Sequence, residues 1–295
     1  MFKSGFVTVI GRPNVGKSTL LNGLIGEKIS IISDKPQTTR NRIQMIYTDD
    51  KMQVVFLDTP GIQNPKNKLG DYMLSVSKNT LNEVDLITFI VDLSEDIGEL
   101  DNYIINLLEG IDTKVILLIN KIDLAESKVE VDLLVKKYTD MNIFDKIIPI
   151  SALEEKNYDK YLEYIYDVLD EGPMYYPEDM ITDQPERNII AEIIREKVLL
   201  NMYDEIPHGI AVEIMKISER KDKNLLDIDA NLYVEQNSHK GMVIGKGGQM
   251  LKTIGSQARV DIEKLLDIRV NLKIWVKVAK DWRKKDIRVK DFGYR

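Results

Sequence analysis

The sequence predicts an α/β domain with a doubly wound, mostly parallel sheet, followed by a smaller α+β domain. Three observations support this. Short apolar runs alternate with helical segments as far as residue 170, as in a parallel sheet covered by helices. Residues 171–184 hold two turn-forming prolines and a glycine, which is typical of a domain boundary. Beyond them, two strands of alternating polarity lie between helical segments. We therefore predict domains at 1–170 and 185–295, joined by a linker at 171–184.

The first strand, 6–10, leads into a phosphate-binding loop. Residues 11–18 fit the pattern G-x-x-x-x-G-K-[ST], and a helix is predicted at 17–25. The glycines let backbone N–H groups surround phosphate oxygens, and the positive end of the following helix points at the same anion. Lys17 would reach the β- and γ-phosphates, and the Ser18 hydroxyl would hold Mg²⁺. The predicted nucleotide contacts here are Gly11, Arg12, Pro13, Asn14, Val15, Gly16, Lys17, Ser18 and Thr19.

A second group of candidates follows the strands predicted at 43–47 and 53–57. The latter strand ends in Asp58-Thr59-Pro60-Gly61. A carboxylate at the end of a buried strand suits the Asp that holds Mg²⁺ in phosphate-loop enzymes. Gly61 would let a backbone N–H approach the γ-phosphate, because glycine has no side chain to prevent it. Asp58, Thr59, Pro60, Gly61 and the next residue, Ile62, are therefore predicted nucleotide contacts.

The identity of the nucleotide's base is predicted from two polar loops that follow buried strands. The strand at 115–119 delivers Asn120-Lys121-Ile122-Asp123, and the strand at 147–150 delivers Ser151-Ala152-Leu153. The carboxylate of Asp123 can accept two hydrogen bonds, from guanine N1–H and from the 2-amino group, whereas adenine offers no such pair. The Lys121 stem can lie over the ring, the Asn120 side chain can tie the loops together, and the Ala152 N–H can meet guanine O6. We therefore predict a guanine nucleotide.

These motifs, in this order, resemble those of translation-factor-type GTPases. In that family a loop Thr closes over Mg²⁺ and the γ-phosphate; Thr38 and Thr39 compete for the role, and Thr39 is favoured. The resemblance implies GTP hydrolysis with Mg²⁺ held by Ser18, Thr39 and Asp58. Many such enzymes place a Gln, which orients the attacking water, where this chain has Ile62.

An apolar side chain cannot position water, so hydrolysis needs another source of positive charge between the phosphates. The Asn14 side-chain carbonyl could ligate K⁺, as in related GTPases, or it could only brace the loop; Arg12 is the next candidate. The predicted catalytic set is Lys17, Asn14, Thr39 and Gly61.

The two halves of the chain differ in charge. Residues 184–295 carry 22 Lys and Arg against 17 Asp and Glu, whereas residues 1–183 carry 19 against 31. A basic half beside an acidic one favours a polyanionic partner for the basic half.

A glycine-rich loop in the basic half supports the same partner. Gly245-Lys246-Gly247-Gly248 matches G-x-x-G between two helical segments, and the order helix–strand–strand–helix–loop–helix–strand resembles a type II KH domain. KH domains clamp single-stranded nucleic acid with this loop. The predicted RNA contacts are Val243, Ile244, Gly245, Lys246, Gly247, Gly248, Gln249 and Lys252. Trp275, between Lys273 and Lys277, could stack on a base, but we expect it to pack under the C-terminal segment.

Some classes of protein are excluded or disfavoured. The chain has no cysteine, which excludes disulfides and thiolate metal sites. No apolar run approaches membrane-spanning length, and the first residues, which lead directly into a strand, predict no signal peptide. A phosphate-loop kinase would need an acceptor pocket and would not need Asp123. A membrane-linked signalling switch would leave the G-x-x-G loop unexplained.

A GTPase domain followed by a KH domain resembles a bacterial family of ribosome-assembly GTPases over essentially the whole chain. The resemblance implies a cytoplasmic monomer that binds small-subunit ribosomal RNA near its 3′ end and assists assembly of the small ribosomal subunit. It also implies a pool loosely associated with the membrane, although the sequence shows no anchor.

Overall fold

The computed structural model describes residues 1–93, 97–203 and 206–294, and only the backbone of Lys221. The chain divides into two compact units. Unit 1 comprises Met1–Ser30, Thr39–Pro65 and Met73–Asp183, and unit 2 comprises Ile31–Thr38, Lys66–Tyr72 and Gln184–Arg295. Unit 2 therefore includes two short segments from the first half of the chain, which the predicted boundaries did not anticipate.

Unit 1 is an α/β unit whose strands and helices alternate along the chain. Its strands are β1 (Lys3–Ile10), β2 (Ile43–Thr48), β3 (Met52–Asp58), β4 (Leu86–Asp92), β5 (Lys114–Asn120) and β6 (Lys146–Pro149). Its helices are α1 (Lys17–Ile25), α3 (Glu99–Leu108), α4 (Lys128–Thr139) and α5 (Tyr158–Val168), and helix α2 (Lys68–Thr80) has its last residues here.

The six strands form one sheet in the order β2-β3-β1-β4-β5-β6. Every neighbouring pair is parallel except β2 and β3, which form an antiparallel hairpin at the edge. This confirms the predicted doubly wound, mostly parallel sheet. Because parallel strands end at the same edge, the segments after β1, β3, β4, β5 and β6 meet there, and this edge carries every predicted nucleotide motif of unit 1.

The sheet is buried on both faces by two apolar clusters. One contains Val7, Val9, Leu20, Phe56 and Tyr161. The other contains Ile10, Phe89, Ile104, Leu117 and Ile119. The central strands therefore consist of nearly continuous apolar residues, as expected where helices cover both faces of a sheet.

The predicted linker is attached to the edge hairpin of unit 1. The amide side chain of Gln53 donates to the Tyr176 carbonyl at 2.9 Å and accepts from the Tyr175 N–H at 2.7 Å. Farther along, the Ile46 N–H donates to the Ile181 carbonyl at 2.9 Å. Residues 171–183 thus belong to unit 1, because these hydrogen bonds tie them to β2 and β3.

Unit 2 has the element order of a type II KH domain. Its helices are α6 (Glu186–Asn201), α7 (Asn237–Ile244), α8 (Gln249–Leu266) and α9 (Asp286–Asp291), and its strands are β7 (Ala211–Arg220), β8 (Leu225–Val234) and β9 (Arg269–Val278). The strands form one sheet in the order β7-β8-β9; β7 and β8 are antiparallel, and β8 and β9 are parallel.

One face of this sheet packs on helices α6 and α8. Ile190 and Ile194 of α6 and Ala258 and Ile262 of α8 meet Ile228 of the central strand in a buried cluster. No helix among the described residues is both long and apolar enough to cross a membrane.

Candidate functional site

The phosphate loop turns sharply between β1 and α1. Gly16 has φ of 105°, a left-handed conformation that side chains disfavour. A Cβ added at Gly16 would lie 2.2 Å from Asn120 Nδ2. Only glycine therefore allows the Asn120 side chain to pass this close to the loop, which explains why the motif needs glycine here.

The side chain of Lys17 is folded over the loop and buried. Its ammonium donates to the carbonyl of Gly11 at 3.2 Å and to that of Arg12 at 3.0 Å. Burial lowers the pKa of Lys17 to about 8, and the nearby Asp58 carboxylate acts against that shift. A buried cation that is hydrogen-bonded to two carbonyls is well placed to pair with phosphate oxygens.

The residues predicted to hold Mg²⁺ lie together. Ser18 Oγ donates to Asp58 Oδ2 at 3.0 Å and lies 3.2 Å from Thr39 Oγ1. Ser30 Oγ also donates to Asp58 Oδ2, at 2.8 Å. Thr38 is elsewhere engaged, because its hydroxyl donates to the Lys35 carbonyl at 2.6 Å. The structure thus places the Thr39 hydroxyl beside that of Ser18, whereas the Thr38 hydroxyl bonds Lys35.

These residues fit a divalent cation. Asp58 is fully buried, and its second oxygen, Oδ1, has no hydrogen-bond partner within the described part of the chain. Burial raises the pKa of the Asp58 carboxyl, although hydrogen bonds from Ser30 and Ser18 and the charge of Lys17 act in the opposite direction. A Mg²⁺ ion would compensate the buried charge, and oxygen ligands of this kind are those it prefers.

Ile62 lies in the core of unit 1. Its side chain is fully buried among Ile10, Phe89 and Leu117, and its N–H donates to the Gly11 carbonyl at 3.0 Å. The chain after Gly61 turns the Ile62 side chain into the apolar layer, so the predicted nucleotide contact of Ile62 stays a prediction that only its backbone could fulfil. Thr59 is also fully buried, and its hydroxyl donates to the Val9 carbonyl at 3.0 Å, so it braces β1 against β3.

The guanine loops are tied together by Asn120. Its Nδ2 donates to the Val15 carbonyl at 2.7 Å, and its Oδ1 accepts from the Ala152 N–H at 2.8 Å. The Ala152 N–H, which is predicted to meet guanine O6, donates to Asn120 in this structure, and its contact with the base stays a prediction. Asp123 accepts a 2.5 Å hydrogen bond from Ser151 Oγ, which fixes the orientation of its carboxylate.

Arg12 is held by carboxylates of unit 1. Its guanidinium forms ion pairs with Asp92, at the end of β4, and with Asp101, on α3. The Asp101 contact measures 3.1 Å from Nε to Oδ2. This side chain is a fixed part of the loop's support, which argues against the alternative that Arg12 supplies the positive charge for hydrolysis.

Unit 2 carries a groove beside the G-x-x-G loop. It encloses about 400 Å³ between α8 and β9, and one end is formed by Gly248. Gly245, Gly247 and Gly248 all have φ between 61° and 80°, where glycine alone is unstrained. The remaining lining residues are Leu251, Lys252, Gly255, Ser256 and Arg259 on α8, and Val270, Asn271, Leu272 and Ile274 on β9.

Two predictions about unit 2 require correction. Val243 is fully buried in a cluster with Val198, Leu232 and Ile254, so its side chain holds α7 to the core and is not available to RNA. Trp275 is 48% exposed, whereas Trp282 is the fully buried tryptophan. Trp282 stacks on Tyr294 at 5.8 Å and donates to the Gly209 carbonyl at 2.9 Å, so it anchors the C-terminal segment in place of Trp275.

Comparisons with known proteins support both halves of this assignment. Residues 6–121 match the family model described as 50S ribosome-binding GTPase, and residues 205–283 match the KH domain model. The chain is 55% identical over 294 residues to GTPase Era of Clostridioides difficile, covering 100% of this chain and 99% of that protein. The chain belongs to the Era family of GTPases. GTPase Era of Alkaliphilus oremlandii is also 55% identical, over 99% of both chains.

Two solved Era structures share this fold. One is Era in complex with MgGDPNP and nucleotides 1506–1542 of 16S ribosomal RNA; it is 41% identical with a TM-score of 0.96, covering 100% of this chain and 99% of its own. The other is a variant of Aquifex aeolicus Era bound to GDP and AlF4⁻, also 41% identical with a TM-score of 0.96, covering 99% of each chain. The GTPase and KH fold predicted from sequence is therefore confirmed.

Some residues of the nucleotide site and of the groove belong to no sequence motif. Ser30, which contacts Asp58, lies in a loop without regular spacing, so sequence offered no signal for it. Ser256, Arg259 and Asn271 line the groove but were not predicted. The spacing of Lys252, Ser256 and Arg259 on α8 could have revealed two of these, because residues three and four apart share one helix face.

Proposed function

We propose that this chain hydrolyses GTP as a switch, binds single-stranded small-subunit ribosomal RNA near its 3′ end, and assists assembly of the small ribosomal subunit. The observation that carries the proposal is the groove between α8 and β9, which opens beside the G-x-x-G loop and is lined by Lys252 and Arg259. Basic side chains beside Gly247 and Gly248, which have open space where a Cβ would lie, suit a nucleic-acid backbone. The solved Era complex with 16S ribosomal RNA supports this choice of RNA.

The GTPase half of the proposal is specific. Asp123, oriented by Ser151, is expected to accept from guanine, and Lys17 is expected to pair with the β- and γ-phosphates. Mg²⁺, held by Ser18, Thr39 and Asp58, would supply charge neutralisation between the phosphates. Gly61 lies close to Pro13, since an added Cβ would be 2.9 Å from the Pro13 nitrogen, so its backbone is near the phosphate loop.

An RNA-binding experiment tests the proposal. A short RNA with the 3′-terminal sequence of small-subunit ribosomal RNA would be titrated with the full chain in the presence of a non-hydrolysable GTP analogue. Replacing both Lys246 and Gly247 by Asp should abolish binding, because two carboxylates would then face phosphates, whereas GTP binding should stay intact. The variant Arg259→Glu keeps the glycines and tests the same groove, and Lys264→Asp, on an exposed part of α8, is the matched control. Unchanged RNA affinity in folded groove variants would contradict the proposal.

The monovalent-cation part of the proposal concerns Asn14. We propose that its side-chain carbonyl ligates K⁺ during hydrolysis, because Ile62 is buried and cannot orient water. Asn14 lies in the phosphate loop with φ of 68°, so the loop presents it in an unusual conformation. Turnover should be faster in KCl than in NaCl at equal ionic strength, and the difference should vanish in Asn14→Ala. Equal rates in the two salts would leave Asn14 with a bracing role only.

A cellular location follows from the proposed partner, the small ribosomal subunit. A factor that acts on the small ribosomal subunit is expected in the cytoplasm and is proposed to work as a monomer. The loosely membrane-associated pool stays a prediction from the family resemblance, and fractionation of cells would test it.

A further inference from the structure

The side chain of Asp92 lies between the two loops that hold the two ends of the nucleotide. Strand β4 runs between β1 and β5 in the sheet. The phosphate loop follows β1, and the guanine loop follows β5. Asp92 is the last residue of β4 and is the register partner of Asn120, the last residue of β5. The topology therefore places one carboxylate at the point where the two loops come together.

Each oxygen of this carboxylate serves a different loop. Asp92 Oδ1 accepts from the guanidinium of Arg12, in the phosphate loop. Asp92 Oδ2 accepts from the Lys121 ammonium, in the guanine loop, at 3.1 Å. The three side chains are only 17% to 35% exposed, so solvent screens these charges less than it would on an open surface.

Both ends of this connection lead to groups that meet the nucleotide. The Arg12 carbonyl accepts from the Lys17 ammonium at 3.0 Å, so a shift of Arg12 displaces the lysine that pairs with phosphate. The backbone of Lys121 has φ of 66°, a conformation that a residue other than glycine adopts only when its surroundings hold it there. Asp92 provides one of those contacts.

We propose that Asp92 is a positioning residue that couples the phosphate loop to the guanine loop, so that correct seating of the base tightens the grip on the phosphates. The inference rests on the guanine-nucleotide site described above and is independent of RNA binding. Asp92 acts through Arg12 and Lys121 and touches no reacting atom.

Asp101 provides the comparison within the same cluster. Its carboxylate also pairs with Arg12, at 3.1 Å, and it lies on α3 with 2% exposure. Within the described part of the chain Asp101 forms an ion pair with Arg12, whereas Lys121 forms one with Asp92. Removing the charge of Asp101 therefore loosens Arg12 without breaking the connection between the loops.

A double-mutant cycle tests the coupling. GDP affinity would be measured for Arg12→Gln, for Lys121→Met and for the combined variant, in the Asp92 background and again with Asp92→Asn. With Asp92 present, the loss of GDP affinity in the combined variant should be smaller than the product of the two single losses by at least about threefold. Either change alone already breaks the connection, so the second change adds less. With Asn at 92 the two losses should multiply, since an amide cannot accept on both sides.

Two further variants keep the test decisive. Asp101→Asn should preserve the coupling between Arg12 and Lys121, and Asp92→Glu, which keeps two acceptor oxygens, should restore part of it. If Asp92→Asn does not fold, the cycle in the Asp92 background still tests whether Arg12 and Lys121 are coupled. Independent, multiplying losses in that background would overturn the proposal, as would coupling of equal size in the Asp92 and Asp92→Asn backgrounds. Asp123→Asn tests the guanine site separately: unchanged GTP affinity in that variant would contradict the site itself, whereas the cycle tests only the coupling.

Discussion

Ser18 Oγ donates to Asp58 Oδ2 at 3.0 Å, so the first turn of α1 and the end of β3 meet at one buried carboxylate. The other oxygen of that carboxylate is buried without a hydrogen-bond partner among the described residues. A buried, partly unsatisfied carboxylate is costly, and a cation bound to it removes that cost.

Asp58→Asn should therefore weaken the affinity of the site for Mg²⁺. The amide cannot supply the charge, so we expect the Mg²⁺ concentration for half-maximal GTP hydrolysis to rise by about tenfold or more. Asp50→Asn, at the exposed turn between β2 and β3, is the matched control and should behave as the unchanged protein. An unaltered Mg²⁺ requirement in a folded Asp58→Asn variant would remove Asp58 from the ion's surroundings.

Asp123→Asn should change the choice of base. Each lost charge-assisted hydrogen bond costs about 1.5–3 kcal/mol, so GTP affinity should fall by about tenfold to more than a hundredfold per bond. Xanthine nucleotides should bind better, because the new amide can donate to their 2-oxo group. Competition between GTP and XTP against a fluorescent nucleotide measures the change.

Ser151→Ala should be compared with Asp123→Asn. It should cause a smaller loss of GTP affinity without a switch to XTP, because the serine only orients the carboxylate. Unchanged GTP affinity in Asp123→Asn would show that another residue reads the base.

Nucleotide affinity should fall as the pH rises above the pKa of Lys17. Burial lowers that pKa to about 8, so the amine loses its proton above this pH. Phosphate binds the protonated amine and raises its pKa, so binding takes up a proton and the affinity falls by up to about tenfold per pH unit. Calorimetry at about pH 9 in buffers of different ionisation enthalpy should detect the proton uptake. Lys17→Met should bind weakly, with no such uptake, and a pH-independent affinity of the unchanged protein would contradict the assignment.

Arg195 should stabilise the segment Ile31–Thr38 within unit 2. Its guanidinium donates to the Gln37 carbonyl at 3.3 Å and also bonds the Thr38 carbonyl and Glu192, and its side chain is 1% exposed. The next residue, Glu196, accepts from the Ile32 N–H at 2.9 Å. Arg195→Met leaves partly buried acceptors without their donor, so we expect the free energy of unfolding to fall by about 1–3 kcal/mol.

Hydrogen exchange gives a local readout of the same change. The amides of residues 31–38 should exchange faster in Arg195→Met than in the unchanged protein, because their anchor on α6 is lost. Arg187→Met, an exposed position on the same helix, is the control and should alter neither quantity. Unchanged exchange in this segment would show that Glu196 alone holds it.

Sequence alone determined the nucleotide, the sheet and the two-part organisation of this protein. The phosphate loop and the loops that hold Asn120 and Asp123 are short contiguous motifs, whose local geometry follows from glycine and from the strand before each of them. Helix α2 was missed because its apolar positions, such as Leu69 and Met73, are sparse and its N-terminal turn belongs to unit 2.

Only the tertiary structure decided which side chains meet across the chain. Nothing in the local pattern distinguishes Val243, which packs inward, from its neighbour Ile244, because a helix of eight residues gives too short a period. Sequence spacing carries no information on the pairing of Arg12 with Asp92, eighty positions later, or on the placement of residues 31–38 in unit 2. Those contacts depend on strand order and on long-range packing, which no local motif encodes.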